Sequence, residues 1–95
     1  MKIIQMAAPW YTPETWAQLL DVASDRQQLP DTFAQFETLA GGRYDRMEAQ
    51  GIRVVRVFIS IDELVSFCRA RGTPVDQQSR AAFAAYTLAR RRAAH

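Results

Sequence analysis

Hydrophobic residues recur along this chain at two spacings, and the changes between them predict six elements of secondary structure. Residues 2–7 alternate weakly between apolar and polar side chains, which is typical of a short strand. Residues 52–59 form the clearest strand, because β-branched residues dominate and apolar side chains occupy most of both faces. We therefore expect this second strand to be interior and covered by helices on both sides.

The segment after the first strand predicts an aromatic loop and then a helix. Residues 8–13 contain Trp10 and Tyr11 between two prolines. Thr12 suits an N-cap and Pro13 the first helical position, where a missing N–H costs nothing. Apolar residues at helical spacing then extend the first helix over residues 13–27.

A second helix is predicted over residues 31–50. Asp31 is a plausible N-cap and Gly51 a natural C-terminal cap. Gly41 and Gly42 interrupt the apolar stripe, and each glycine costs roughly 1 kcal/mol against alanine inside a helix. The stripe resumes in register after them, which favours one kinked helix over two short ones.

Two more helices follow the second strand. Ser60 and Glu63 have the spacing of a capping box, so the third helix begins there, and Gly72 ends it. Asp76 is the expected N-cap of the fourth helix, which continues to about residue 92 on a broad alanine face.

Together these elements predict one α+β domain over residues 1–95, helix-rich and ordered β-α-α-β-α-α, with a small two-stranded sheet. An isolated two-stranded sheet is only marginally stable. An open, apolar strand edge is also a template for pairing with another chain. We therefore predict a homodimer in which a second copy extends the sheet.

Charge and composition narrow the class of protein. The net charge of +2 is too small to indicate nucleic acid or membrane as a partner. Residues 1–50 carry four basic and seven acidic groups, whereas residues 51–95 carry eight basic and three acidic groups. Such halves attract each other within one fold or between two copies. No stretch approaches the ~20 apolar residues of a membrane helix, and the single cysteine fits a reducing compartment, so a cytoplasmic protein is predicted.

Residues that carry catalysis or bind metals are scarce. The only histidine is His95, and the only thiol, Cys68, lies on the apolar stripe of the third helix. A four-ligand zinc site cannot be built from these within one chain. With no histidine base beside it, Cys68 is expected to be a buried structural residue. Glu14, Asp21 and Asp25 lie near one another on the first helix and are expected on its solvated face. The sequence thus predicts no cofactor, no metal and no enzymatic activity.

A protein interface is the favoured site. Tryptophan and tyrosine are common interface anchors. The candidates are Trp10 and Tyr11 in the proline-flanked loop and Tyr44 beside the double glycine, although each ring can equally well close the core.

Nucleic acid is the alternative partner, because the third and fourth helices have the outline of a helix-turn-helix. A recognition helix presents base-reading side chains in its first turn, and arginines elsewhere meet phosphates. The candidate contacts are Gln77, Gln78, Arg80, Arg69, Arg71, Arg90, Arg91 and Arg92.

Residues 51–85 also carry a resemblance. They contain Val-Val-Arg-Val at 54–57, Asp-Glu-Leu-Val-Ser-Phe-Cys-Arg-Ala-Arg-Gly at 62–72, Pro-Val-Asp at 74–76 and Arg-Ala-Ala-Phe-Ala-Ala at 80–85. This stretch resembles small, uncharacterised bacterial proteins, some of them associated with plasmids or integrated elements. The resemblance implies a bacterial, cytoplasmic protein and carries no activity over. The sequence therefore predicts a non-enzymatic binding module, with a small nucleic-acid-binding or accessory protein as the alternative.

Overall fold

Two strands and four helices follow one another in the predicted order, β-α-α-β-α-α, in a computed structural model that describes residues 4–94. The α+β class with a two-stranded sheet is confirmed. A single 3-10 turn, Arg26–Gln28, lies between the first two helices. The elements are β1 (Ile4–Trp10), α1 (Pro13–Val22), α2 (Phe33–Ala49), β2 (Ile52–Phe58), α3 (Ile61–Arg71) and α4 (Gln77–Ala93).

The two strands run parallel, with Ile4 opposite Ile52 and Trp10 opposite Phe58. A parallel pair needs a long crossover, which α1 and α2 supply. β1 extends further than predicted: Pro9 and Trp10 belong to the strand and not to a loop. The pairing continues because the N–H of Ile59 donates to the carbonyl of Trp10 at 3.0 Å. The predicted start at residues 2 and 3 lies outside the described residues.

Both faces of the sheet are packed, each against a different set of helices. On one face, Val57 and Ile59 are buried with side chains of α1, α3 and α4. On the other face, Ala8 and Trp10 are buried against α2. Fully burying a valine or isoleucine side chain, such as those of Val57 and Ile59, stabilises the fold by about 1.5–3 kcal/mol. The predicted double coverage of β2 fails at Phe58, which is 57% exposed at the end of the strand. In a sheet of two strands, β2 is an edge strand and not an interior one.

The first helix is shorter than predicted, ending at Val22 and not at residue 27. Ala23 closes the helix by donating to the carbonyl of Leu19, and its backbone is extended. The next N–H, that of Ser24, donates to the carbonyl of Val75 at 2.9 Å. A bond to a residue far along the chain therefore replaces the next helical turn.

The second helix runs through Gly41 and Gly42 without a break, so the prediction of one helix is confirmed. Its N-cap is Thr32 and not Asp31, which instead pairs with Arg26 at 2.7 Å. The hydroxyl of Thr32 accepts from the backbone of Gln35 while the Gln35 side chain accepts from the backbone of Thr32, so this capping box is complete.

The predicted N-cap residues of α3 and α4 are confirmed, but the capping box of α3 is only half formed, because the Glu63 carboxylate does not accept from the backbone of Ser60. The hydroxyl of Ser60 accepts from the backbone N–H of Glu63 at 3.4 Å, and the carboxylate of Asp76 accepts from that of Ser79 at 2.9 Å. Gly72 ends α3 with φ at +66°, a left-handed conformation that favours glycine. Cys68 is buried, as expected of a structural cysteine.

Candidate protein-binding groove

The free edge of β1 can be identified from one hydrogen bond. The carbonyl of Trp10 points to β2, because it accepts from Ile59. Successive residues of a strand direct their backbone groups to opposite edges, so those of Pro9, Ala7 and Gln5 point away from β2. Pro9 fits this arrangement, since proline has no N–H and is confined to strand edges.

A cavity of about 610 Å³ runs along this free edge, and we call it the β1 groove. Residues 5, 7, 9 and 11, the odd positions of this segment, all line it, together with Met6. One wall is α2, the other is α4, and the connector between α1 and α2 lines the end near Tyr11. The volume is within the range of about 300–1,000 Å³ that ligand sites occupy.

Small and apolar side chains form the walls of the β1 groove. Ala40 on α2 and Ala81 and Ala85 on α4 line it, and their methyl groups leave room for another backbone to approach. Met47 also lines it, and Leu39 lies on the α2 wall with 64% of its surface exposed. The groove thus combines unpaired backbone groups with apolar walls, the two features that a strand-binding site needs.

A buried ion pair lies in the lining of the same groove. Nη1 and Nη2 of Arg80 donate to Oδ1 and Oδ2 of Asp25 at 2.9 and 2.8 Å. Both side chains are largely shielded from solvent. The hydrogen bonds from Arg80 lower the pKa of Asp25, so this carboxylate is charged at neutral pH. Burial opposes the charge of Arg80, but the hydrogen bonds to Asp25 together with the electrostatic effects of Tyr11, Asp25 and Asp76 outweigh it and raise the pKa of the guanidinium.

The remaining charges at the β1 groove are positive. Arg43 lines it from α2 and is exposed. On the α4 side, Arg92 is exposed and donates to the side-chain oxygen of Gln5. Asp25 is the one carboxylate that lines the groove within residues 4–94, and Arg80 neutralises it. The groove therefore carries a net positive charge.

The three aromatic residues predicted to anchor an interface are buried in the monomer. The ring of Trp10 packs 5.1 Å from Phe36 and 6.2 Å from Tyr44, measured between centroids. Burial raises the pKa of both Tyr11 and Tyr44, so their hydroxyls stay neutral at physiological pH. The guanidinium of Arg56 covers the ring of Trp10 at 4.7 Å. Tyr11 and Tyr44 do line the β1 groove, but they do so mainly as core residues.

The predicted nucleic-acid contacts do not form one surface. Arg80 is buried and occupied by Asp25, so it does not face a phosphate. Gln77 and Gln78 are both exposed, and Gln77 lines the β1 groove. The last turn of α4 carries three arginines, Arg90, Arg91 and Arg92. They lie roughly 20 Å from the first turn of this helix, because an α-helix rises about 1.5 Å per residue.

The packing of α3 against α4 also differs from a helix-turn-helix. Phe67 of α3 contacts Phe83 and Tyr86 of α4, with centroids 5.2 and 5.3 Å apart. Asp62 at the start of α3 lines the same surface depression as Arg90 near the end of α4. The helices therefore lie side by side in opposite directions, and Arg69 and Arg71 end up at the opposite end from the α4 arginines.

Sequence reasoning missed the β1 groove, although two signals pointed to it. Pro9 within an alternating segment indicates an edge strand. Ala81 and Ala85 are four residues apart on one side of α4, and both are exposed, whereas Ala84 is fully buried. The alanines of α4 therefore lie on two different surfaces: Ala84 packs in the core, and Ala81 and Ala85 line the groove.

Among residues 4–94, no helix is both long and apolar enough to cross a membrane, and no three metal-ligating side chains cluster. Comparisons with protein-family models, with curated proteins and with solved structures find no match to this chain.

Proposed function

We propose that this protein is a non-enzymatic binding module that accepts an extended segment of a partner protein as a third strand along the free edge of β1. The observation that carries the proposal is the position of that edge. It lies at the base of an apolar groove between α2 and α4, which leaves the backbone groups of Gln5, Ala7 and Pro9 accessible. Strand addition of this kind takes its affinity from backbone hydrogen bonds and its specificity from alternate side chains.

The groove supports this function better than it supports nucleic-acid binding. Base readout needs side chains that reach a groove of the duplex from one surface. Arg80 is turned inward to Asp25, and the arginines of α3 and α4 lie at opposite ends of the helix pair. A second copy of the chain is the alternative occupant of the same edge, and it would give the predicted homodimer.

The test uses the full chain and a peptide selected on it. A random peptide library is panned on the immobilised protein, and the selected peptide is titrated calorimetrically against two variants. Ala7→Pro removes one N–H from the free edge without touching the bonds to β2. Ala85→Leu narrows the groove. We expect Ala7→Pro to weaken binding about fivefold, since a lost hydrogen bond to the peptide is worth about 1 kcal/mol. Ala85→Leu should also weaken binding, because the larger side chain takes up space that the peptide needs.

Ala89→Leu is the matched control, because Ala89 is an exposed alanine of the same helix and is absent from the groove lining. It should bind as the unaltered protein does. Equal binding by the unaltered protein, Ala7→Pro and Ala85→Leu would refute the site. Sedimentation without peptide completes the test: a dimer that Ala7→Pro dissociates would identify a second copy as the occupant.

A further inference from the structure

We infer that the segment bound in the β1 groove is acidic, with two carboxylate side chains that point to opposite faces of the added strand. This inference rests on the proposed function and names the class of partner that the groove fits. Two salt bridges form among residues 4–94, Arg26–Asp31 and Arg80–Asp25, and neither involves Arg43 or Arg92. Both of these guanidinium groups are exposed beside the free edge of β1.

The two arginines lie on opposite sides of the sheet. Even-numbered residues of β1, such as Ala8, pack against Ala40 and Tyr44 of α2, the helix that also carries Arg43. Odd-numbered residues, such as Ala7, pack against the cluster that contains α4, and the odd-numbered Gln5 is bonded to Arg92. A third strand continues the same sheet, so its successive side chains also alternate between these two sides.

The spacing of the acidic residues follows from this alternation. Carboxylates an odd number of positions apart project to opposite faces, one toward Arg43 and the other toward Arg92. Carboxylates two positions apart project to the same face, and only one of them then meets an arginine. A neutral segment leaves both arginines without a counter-charge.

Charge also distinguishes this partner from a second copy of the chain paired through the same strand. β1 spans Ile4–Trp10 and contains no acidic residue. A second β1 in the groove would therefore offer no carboxylate to Arg43 or Arg92, while bringing its own pair of arginines to the interface. The charge of the groove favours a foreign acidic strand.

The experiment compares synthetic strand-forming peptides that differ only at two positions. The set carries two glutamates at adjacent positions, two glutamates two positions apart, two glutamines, or two lysines. Fluorescence anisotropy measures their dissociation constants with the full chain. We expect the adjacent glutamates to bind on the order of tenfold more tightly than the glutamines, with the same-face pair in between. This preference should shrink as salt rises from about 0.05 M to about 0.5 M.

Variants of the protein assign the preference to the two arginines. Arg43→Gln combined with Arg92→Gln should abolish the preference for glutamate, so that the glutamate and glutamine peptides bind this variant equally. Arg46→Gln and Arg91→Gln are the matched controls, since both are exposed arginines of the same two helices. Arg46 is absent from the groove lining, and Arg91 lines the depression between α3 and α4, whereas Arg92 is bonded to Gln5 of β1. Both controls should keep the full preference.

The outcomes separate this inference from the proposed function. If glutamine and glutamate peptides bind equally and Ala7→Pro weakens both, strand addition holds and the acidic partner is wrong. If no peptide of any charge binds, the proposed function itself fails. If an oligonucleotide displaces the glutamate peptide and binds through Arg43 and Arg92, phosphate is the ligand, and the acidic segment is overturned.

Discussion

Arg80 donates two hydrogen bonds to the carboxylate of Asp25, with Nη1 2.9 Å from Oδ1 and Nη2 2.8 Å from Oδ2. The two residues are 55 positions apart in the chain, so the pair joins α4 to the connector between α1 and α2. Their side chains are only 7% and 13% exposed. A planar guanidinium matches a carboxylate in this fork geometry, which fixes orientation as well as distance. Two residues predicted on solvent-facing surfaces therefore hold separate parts of the fold together.

Removing one partner of this ion pair should destabilise the folded protein strongly. Asp25→Ala leaves a buried, unpaired guanidinium, and we expect it to lower the free energy of unfolding by about 3–5 kcal/mol. Urea denaturation followed by tryptophan fluorescence measures the loss. The double variant Asp25→Leu with Arg80→Leu removes both charges and should recover most of it. Asp31→Ala is the matched control, because it breaks the more exposed pair with Arg26 and should cost less than about 1 kcal/mol. Similar losses in the two single variants would contradict this role.

The same pair should make stability depend on acid pH. The hydrogen bonds from Arg80 hold the pKa of Asp25 below its ordinary value of 3.8. The stabilisation is therefore fully present above the unfolded-state pKa and is lost as the pH falls through the lower, folded-state pKa. We expect the stability difference between the wild type and Asp25→Asn to be largest at neutral pH and to shrink as the pH falls below about 4. Urea midpoints measured across this range test it, and a difference that stayed constant with pH would exclude the linkage.

Local signals were enough to predict most element boundaries. Thr12, Ser60 and Asp76 each cap a helix through a hydrogen bond to a residue three positions away. Gly51 and Gly72 end elements with positive φ. These features depend on a few neighbouring residues, which a single sequence displays directly.

The boundaries and the site that were missed depend on partners far along the chain. α1 stops at Val22 because Ser24 bonds to Val75. Asp25 is largely buried because it pairs with Arg80, although the helical pattern of its own segment indicates a solvated face. The β1 groove needs the parallel direction of the strands and the placement of α2 and α4 on opposite faces. Periodicity shows which residues are apolar, but it does not show which elements meet.

Two glycines, Gly41 within α2 and Gly51 just after it, test how backbone conformation affects the stability of the protein. A Cβ at Gly41 would meet no atom within 4 Å, so the site has room for alanine. We expect Gly41→Ala to raise the free energy of unfolding by about 0.5–1 kcal/mol, because alanine loses less backbone entropy in a helix. Gly51 is the matched contrast: a Cβ there is equally free of contacts, but φ is +89°. Gly51→Ala should therefore destabilise the protein by about 1 kcal/mol. Urea denaturation measures both changes, and a stabilising Gly51→Ala would contradict the argument.

Cys68 gives a direct probe of how tightly the core of the domain is closed. It is the only cysteine of the chain and is 2% exposed, in the cluster that contains Val57 and Leu64. Because a thiol reagent reaches a buried sulfur only when the structure opens, labelling of the native protein should be slow and should accelerate with urea as unfolding does. A chromogenic disulfide reagent follows the reaction, with the fully unfolded chain as the control for intrinsic reactivity. Native labelling as fast as in that control would mean that α3 does not pack on the sheet as described.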